Sequence, residues 1–364
     1  MPVELVSAEE AMALMMHNDG LSCIIDARSE DEFALDHLPM ALNWPSLTNE
    51  ERIKVGTLYK QVGAFEANKL GASLVAANIA QHIENNVMDL PKTWRPLIYC
   101  WRGGKRSGSL ALVLGQIGFK VNVIEGGYKA FRAAVVQDTS QLALSLQFKV
   151  ITGPTGSGKT RLLHALAAEG AQVLDLEALA VHRSSVLGRV PGQAQPSQKQ
   201  FDMRVWNTLR RFDPAQVVFV EAESKKVGNV SVPETLMETM RASQCIDLIL
   251  PLEERVELLM EDYAFFAQDP EQFCNRLTTL IEARGKVVIE QWQLLVRSGH
   301  IRQVVQELLS QHYDPTYARS VERNFRCWPD ALKVELKDHH AASLQALAKQ
   351  LIAQTNQIPA RASA

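Results

Sequence analysis

The stretch LIYCWRGGKRSGSLA, residues 97–111, runs from an apolar strand pattern through one cysteine and a glycine pair into a helical pattern. PLIYC reads as a buried strand and Ser107 to Ile117 as a helix. A chain that passes from strand through a tight loop into a helix turns successive N–H groups toward one spot. The helix N-terminus adds its partial positive charge there. Arg102, Lys105 and Arg106 surround Cys100, so they are expected to lower its pKa and favour the thiolate. A strand-end cysteine beside a solvated basic turn is the plainer alternative. It leaves the cations, the glycines and the helix start unexplained together.

The same alternation extends outward. LSCIIDA (21–27) reads as a strand, SEDEFALDHL (29–38) as a helix with Ser29 as N-cap, and KVNVIEGG (120–127) as a strand ending in a glycine turn. Between Asn43 and Leu97 lies a mostly helical insertion that includes LGASLVAANIAQHIENN (70–86). Around Gln137 to Ser145 the pattern loosens, and QFKVIT (147–152) then opens a second unit. Its helix runs from Lys159 to about Glu169, with Gly170 as the stop. AQVLDLE (171–177) and AQVVFVEAE (215–223) are further strands, and from Pro233 the pattern is predominantly helical. Strands alternating with helices imply an α/β fold with covered parallel sheets. The expected division is an α/β domain over 1–138 with its helical insertion at about 46–96, a second α/β domain over 146–355 with a helical C-terminal portion, and a tail at 356–364.

Composition narrows the classes. With 364 residues the chain should hold two or three domains, and a net charge of −3 excludes a bulk polycation. Any nucleic-acid binding must therefore use local basic patches. The N-terminus lacks a basic n-region, and no apolar run approaches the roughly 20 residues that span a bilayer. No membrane association is expected. The five cysteines are scattered and form no CxxC, which supports neither a zinc site nor a disulfide framework and fits a reducing cytoplasm.

GPTGSGKT (153–160) carries the full Gly-x-x-x-x-Gly-Lys-Thr pattern after a strand and before a helix. Gly153, Gly156 and Gly158 let backbone N–H groups wrap an anion, Lys159 reaches its outer oxygens, and Thr160 can hold Mg²⁺. The pattern identifies a phosphate or diphosphate and not what hangs from it. No Asn-Lys-x-Asp guanine reader occurs, which argues against a GTPase. Asp175 and Glu221, with Glu223 nearby, end strands where acids meet metal at the carboxyl edge of a parallel sheet. HRSSVLG (182–188), Lys199 and Arg204 are candidates for cationic and hydroxyl groups at that same edge.

Arg106 follows Cys100 by six positions and precedes Ser107, which also fits a cysteine-dependent phosphatase. The flanks favour another reading. IIDARSEDEFALDHLPMALNWP (24–45), CWRGGKRS and GFKVNVIEGGYKAFR (118–132) together resemble the rhodanese domain over about residues 10–135. That resemblance implies a cysteine that carries transferable sulfur as a persulfide. The long helical insertion departs from it.

A rhodanese-like domain followed by this phosphate loop resembles the tRNA 2-selenouridine synthases. LDLEALAVHRSSVLG (174–188), FVEAESKKVGN (219–229) and HYDPTYARS (312–320) extend the likeness over nearly the whole chain. It implies replacement of the sulfur of 2-thiouridine at a tRNA wobble position by selenium from selenophosphate, through an S-geranyl intermediate made from geranyl diphosphate. Both compounds are substrates, and no tightly bound cofactor is expected. Cys100 would carry selenium, cradled by Arg102, Lys105 and Arg106. The phosphate loop, which also resembles that of tRNA prenyltransferases, would hold the departing diphosphate, with Mg²⁺ on Thr160 and Asp175 or Glu221. Arg210, Arg211, Lys225, Lys226, Arg319 and Arg323 are candidate contacts to the anticodon region of tRNA. LLMEDYAFFA (258–267) is a candidate lining for the geranyl chain. An enzyme that makes selenophosphate is an expected partner. The competing classes are a sulfurtransferase fused to an ATPase, and a non-catalytic regulator.

Overall fold

The computed structural model describes residues 3–17, 20–182, 193–262 and 269–355. The chain forms two compact units, Met1–Asp138 with Ser197–Asn207, and Thr139–Pro196 with Thr208–Ala364.

The first unit is built on a five-stranded sheet in the order β1-β5-β4-β2-β3, with every pairing parallel. The strands are β1 (Val3–Val6), β2 (Cys23–Asp26), β3 (Ala41–Asn43), β4 (Pro96–Tyr99) and β5 (Val121–Ile124). β4 is central and buried at all four residues, so it delivers Cys100 to the carboxyl edge of the sheet. Helix α1 (Ala8–His17) follows β1, and α2 (Glu30–Leu35) starts after Ser29, whose N–H and hydroxyl donate to Glu32 Oε2 at 3.3 and 3.2 Å. β1 and β3 have no counterpart in the sequence reading. They are short edge strands of four and three residues, half exposed, and so carry little apolar periodicity.

The insertion is a pair of helices, α3 (Asn49–Gln61) and α4 (Ala64–Asn86), packed on each other with Gly71 facing Val55. Thr48 opens α3 with a reciprocal cap: its hydroxyl accepts from Glu51 N–H at 3.3 Å and its own N–H donates to Glu51 Oε2 at 2.9 Å. Helix α5 (Lys105–Ile117) follows the cysteine loop and buries Leu110, Ala111 and Leu114 in a core with Ile98, Trp94 and Phe119.

Helix α6 (Gly127–Ser145) runs unbroken through Gln137–Ser145, where the sequence pattern loosens. After Gly127 that span contains neither glycine nor proline, so nothing stops the helix. Residues 197–207 belong to the first unit, not to the second as the expected division had it. Within helix α9 (Gln198–Leu209), Trp206 sits edge-on to Phe131 at 5.6 Å and donates Nε1–H to Asp138 at 2.7 Å, and Asp202 pairs with Arg132.

The second unit carries a parallel sheet in the order β12-β11-β6-β8-β7. Its strands are β6 (Gln147–Thr152), β7 (Gln172–Leu174), β8 (Val217–Glu221), β11 (Gln244–Ile249) and β12 (Cys327–Glu335), and a hairpin of β9 (Lys226–Val227) and β10 (Val230–Ser231) stands apart. β6 is central and leads through the glycine loop into α7 (Lys159–Ala168), with Gly170 just beyond it at φ +86°. β11 and β12 correct the helical reading beyond Pro233. β11 is a six-residue segment with four apolar residues, too short for periodicity to separate strand from helix. β12 is an exposed edge strand containing Pro329, which blurs its pattern. The helices that position the site are α8 (Leu176–Ala180), α10 (Glu234–Arg241), α11 (Leu252–Asp262) and, later in the chain, Asp314–Asn324 and Ala341–Thr355. Among the described residues no helix is long and apolar enough to cross a membrane.

Candidate functional site

The first site is the loop after β4. Cys100 is 3% exposed, and its Sγ accepts hydrogen bonds from Gly104 N–H at 3.3 Å and Ser107 Oγ at 3.1 Å. Burial pushes the thiol pKa up. The Ser107 hydroxyl, with the N–H groups of Ser107, Arg102 and Gly104, more than offsets this and holds the thiol below its ordinary value. The cations expected to do so are engaged elsewhere or exposed. Arg106 Nη1 lies 2.7 Å from Glu32 Oε2, Lys105 Nζ lies 3.3 Å from Asn68 Oδ1, and Arg102 is exposed. Long flexible side chains reach for the nearest acceptor, whereas amides at a helix start are fixed by the backbone.

The glycine turn before α6 clamps this loop. Gly127 has φ +60°, and a Cβ there would stand 2.3 Å from Cys100 O and 2.4 Å from Gly103 N. Tyr128 N–H donates to Cys100 O at 2.8 Å and Lys129 N–H to Trp101 O at 3.1 Å. Below it lies a buried ionic network made by the residues of IIDARSEDEFALDHL. Arg28 donates to both oxygens of Asp26 and, at 2.6 Å, to Asp36 O, and its guanidinium stacks over Tyr128 at 4.0 Å. Tyr128 donates its hydroxyl to Asp36 Oδ2 at 2.6 Å. Trp101 stacks on Tyr128 at 5.4 Å, with Lys199 Nζ 5.6 Å from the Trp101 ring. Lys199 and Arg204, expected at the sheet edge of the phosphate loop, thus lie in a segment that folds with the first unit.

The second site is the glycine loop after β6. Gly153, Gly156 and Gly158 have φ of +144°, +78° and +87°, and a Cβ on Gly153 would meet Leu248 O and Ser157 Oγ at 2.6 Å each. Lys159 Nζ donates to Gly153 O at 2.8 Å and lies 5.5 Å from the Tyr317 ring. Gly153 N–H donates to Tyr317 Oη at 2.6 Å. Buried Arg255 donates to Thr155 O at 2.7 Å and pairs with Asp314 at 2.6 Å, bracing the loop. Asp314 and Tyr317 come from HYDPTYARS, so that motif supports the loop from the far end of the chain.

Glu221, at the end of β8, is 5% exposed, and its Oε1 is buried without a hydrogen-bond partner. Burial raises its pKa first, followed by the negative charge of Glu177. Lys159 and the Thr160 hydroxyl pull the other way, and the outcome is a pKa of about 8. Carboxylate oxygens of Glu177, Glu221 and Glu223 lie within 4.8 Å of one another. Oxygen ligands with one orphaned buried acceptor suit a hard divalent cation such as Mg²⁺. Asp175, expected in this set, is engaged elsewhere: Oδ1 accepts Ala178 N–H at 2.8 Å as the cap of α8, and Oδ2 faces His164 Nε2 at 3.0 Å. Glu177, on the first turn of α8, replaces it. Its position inside a five-residue helix offered no signal in sequence.

A cavity of about 800 Å³ opens beside the loop. Lys159, Thr160 and Glu221 line one part of it, and Leu258, Leu259, Val321 and Phe325 supply apolar wall. Leu258 and Leu259 begin the stripe 258–267, of which residues 263–267 lie outside the described residues, as do 183–188 of HRSSVLG. Of the candidate RNA contacts, Lys225 lines the cavity with Nζ 3.8 Å from Glu234 Oε1. Arg211, Lys226, Arg319 and Arg323 are exposed and Arg210 is half-buried. Arg319 and Arg323 are a turn apart on the Asp314–Asn324 helix, whose Ser320 and Asn324 reach the cavity.

Residues 146–285 match the family model for the tRNA 2-selenouridine synthase AAA domain, and residues 7–134 match the rhodanese-like domain. The tRNA 2-selenouridine synthase of Nitrosomonas europaea is 38% identical over 66% of this chain and 63% of its own length, so the match spans just under two thirds of that relative. That of Marinobacter nauticus is 32% identical over 81% of this chain and 87% of its own. That of Shewanella piezotolerans is 30% identical over 95% of this chain and 99% of its own. With both domain models matched in order and full-length likeness of this kind, the chain belongs to the tRNA 2-selenouridine synthase family.

Proposed function

We propose that this protein replaces the sulfur of 2-thiouridine at the tRNA wobble position with selenium, in two steps divided between its two units. The observation that carries this reading is a pair of distinct anion cradles in one chain: the amide-lined Cys100 loop and a diphosphate-type loop beside a cavity with an apolar wall.

In the first step the thiouridine sulfur attacks C1 of geranyl diphosphate. A C–S bond forms, the C–O bond to diphosphate breaks with its electron pair on oxygen, and the N3 proton passes to solvent. Lys159 and the loop N–H groups stabilise the departing anion. Leu258, Leu259, Val321 and Phe325 suit the geranyl chain. Glu177, Glu221 and Glu223 would hold Mg²⁺, which supplies further charge neutralisation on the diphosphate when bound.

In the second step Cys100 carries selenium as Sγ–Se⁻, stabilised by the donors that favour its thiolate. Selenium in selenophosphate is at the selenide level. Loading therefore passes two electrons to a small-molecule disulfide, which becomes two thiols as phosphate is released, and two thiols return the electrons later by re-forming that disulfide. The perselenide selenium attacks C2 of the uracil ring, and geranyl thiol leaves. One thiol then cleaves the S–Se bond and a second resolves the mixed disulfide, which frees the selenouridine and Cys100 and releases the small-molecule disulfide. Geranylation makes this displacement feasible because a thioether sulfur leaves more readily than a thiocarbonyl sulfur.

Mass spectrometry of wobble nucleosides after incubation of purified protein with thiolated tRNA, geranyl diphosphate, selenophosphate and a small-molecule thiol–disulfide couple tests the reading. Cys100→Ser should accumulate S-geranyl-thiouridine without selenouridine. Lys159→Ala should slow geranylation by about 10²–10³-fold, the usual loss when one stabiliser of a developing anion is removed. It should still convert tRNA that already carries the geranyl group. Release of ADP from ATP in step with turnover, or selenouridine from Cys100→Ser, would overturn the assignment.

A further inference from the structure

The helical insertion is larger than its packing requires. Helix α3 contributes no buried residue, and the 23 residues of α4 bury only Ala67 and Ile79. Four large side chains around their junction face solvent: Ile53 at 67%, Tyr59 at 59%, Val62 at 63% and Phe65 at 72% exposure. Neighbouring exposed apolar groups of this size on one element mark an interaction surface more often than scattered ones do.

Two further observations say what covers it. The first is charge. Over α3 and the start of α4, Arg52 pairs with Glu32 at 3.4 Å and Lys69 with Glu66 at 2.8 Å, which leaves Lys54 and Lys60, on the same helix as Tyr59, without an ion-pair partner among the described residues. Lys69 Nζ lies 5.0 Å from the Phe65 ring, so an aromatic face and a cation are presented together. The second is continuity with the thiol loop. Asn68 on α4 accepts from Lys105 at the start of α5, Asn78 donates to Ser46 O at 3.2 Å, and Ser46 donates to Arg106 O at 3.0 Å. Phe65 is three residues before Asn68, so it stands about one helical turn, roughly 5 Å along the axis, from the contact with the cysteine loop.

We infer that the α3–α4 junction is the docking surface for the anticodon loop, with Phe65 and Tyr59 as stacking platforms for unpaired bases and Lys54 and Lys60 on the flanking phosphates. This inference rests on the reading of the substrate as tRNA and assigns that substrate a place. Sequence-tolerant recognition of single-stranded RNA combines aromatic faces with cations that follow the backbone. The junction has both, and Asn68 beside it contacts Lys105, which begins the helix after the cysteine loop. A protein partner would be served by the apolar groups but gives no reason for the two unpaired lysines on the helix that carries Tyr59.

The test measures binding of a labelled anticodon stem-loop RNA to the full chain. The variants are Tyr59→Ala with Phe65→Ala, and separately Lys54→Glu with Lys60→Glu. The aromatic pair should weaken binding at least tenfold, since each lost base stack costs about 1–3 kcal/mol. The charge reversal should weaken binding and flatten its dependence on salt. Neither should alter the alkylation rate of Cys100, which reports an intact thiol loop. If the unaltered protein binds the RNA and both variants bind it equally well, this inference fails and the functional reading stands. If the unaltered protein binds no RNA, both fail. Unchanged RNA affinity with a dimer converted to monomer would assign the surface to a second copy of the chain instead.

Discussion

At the scale of single residues, burial raises the pKa of both Cys100 and Glu221, and only at Cys100 do local donors reverse it. Cys100 is buried yet held below its ordinary pKa because four donors converge on its sulfur, the Ser107 hydroxyl first among them. Ser107→Ala should therefore move the pH profile of iodoacetamide alkylation to higher pH. Arg106→Ala should move it much less, because that guanidinium serves Glu32. Equal shifts for both would return the cations to the role the sequence suggests. At Glu221 burial and the charge of Glu177 outweigh Lys159 and the Thr160 hydroxyl, and the pKa rises from 4.5 to about 8. The folded state then holds this proton more tightly than the unfolded chain does. In metal-free protein its contribution to stability is present below about pH 4.5 and is lost as pH rises toward about 8. Thermal unfolding should show that decline, Glu221→Gln should flatten it, and added Mg²⁺ should reverse it most strongly near pH 8. A decline that Glu221→Gln leaves unchanged would remove Glu221 as its cause.

At the scale of elements, function depends on how one turn presses on another. The Gly126–Gly127 turn is far from Cys100 in sequence and touches its carbonyl in space. Gly127→Ala places a methyl group against backbone atoms at 2.3 and 2.4 Å in a left-handed conformation. The conformational penalty alone is about 1 kcal/mol, and the contacts add to it. The variant should unfold at lower temperature and lose the thiol's low-pH reactivity together. A variant with normal stability and normal thiol titration would show that the turn does not clamp the loop. In the second unit, Arg255, 100 residues after Thr155, holds that residue's carbonyl and pairs with Asp314, while Tyr317, 164 residues after Gly153, accepts its N–H.

For the whole molecule, the two-step scheme makes the halves separable in chemistry. Under the proposed scheme Cys100→Ser would keep the alkylating half and Lys159→Ala the selenium half. A mixture of the two inactive variants should restore selenouridine if geranylated tRNA passes between molecules. The rate should rise with protein concentration, as for a diffusing intermediate. Nucleoside mass spectrometry of the mixture against each variant alone decides it. Geranylated tRNA that accumulates and is never consumed in the mixture would mean that the two steps require one intact chain.

The strand–loop–helix passages at Cys100 and at Gly153–Thr160 were legible in the sequence because each is local. Apolar runs specify the strands, glycines permit the loop conformations, and the following helical periodicity supplies the amides. The α/β class followed from the same alternation. What the sequence could not reveal depends on distant residues meeting. Glu177 in place of Asp175, Ser107 in place of the cations, and Arg255 with Tyr317 beneath the phosphate loop are choices among equivalent-looking side chains, settled only by the packed backbone. Edge strands β1, β3 and β12 were hidden because exposed strands need no apolar alternation. Residues 197–207 joined the first unit because Trp206 and Asp202 found Phe131, Asp138 and Arg132 there, and no local pattern encodes a partner about 70 residues away.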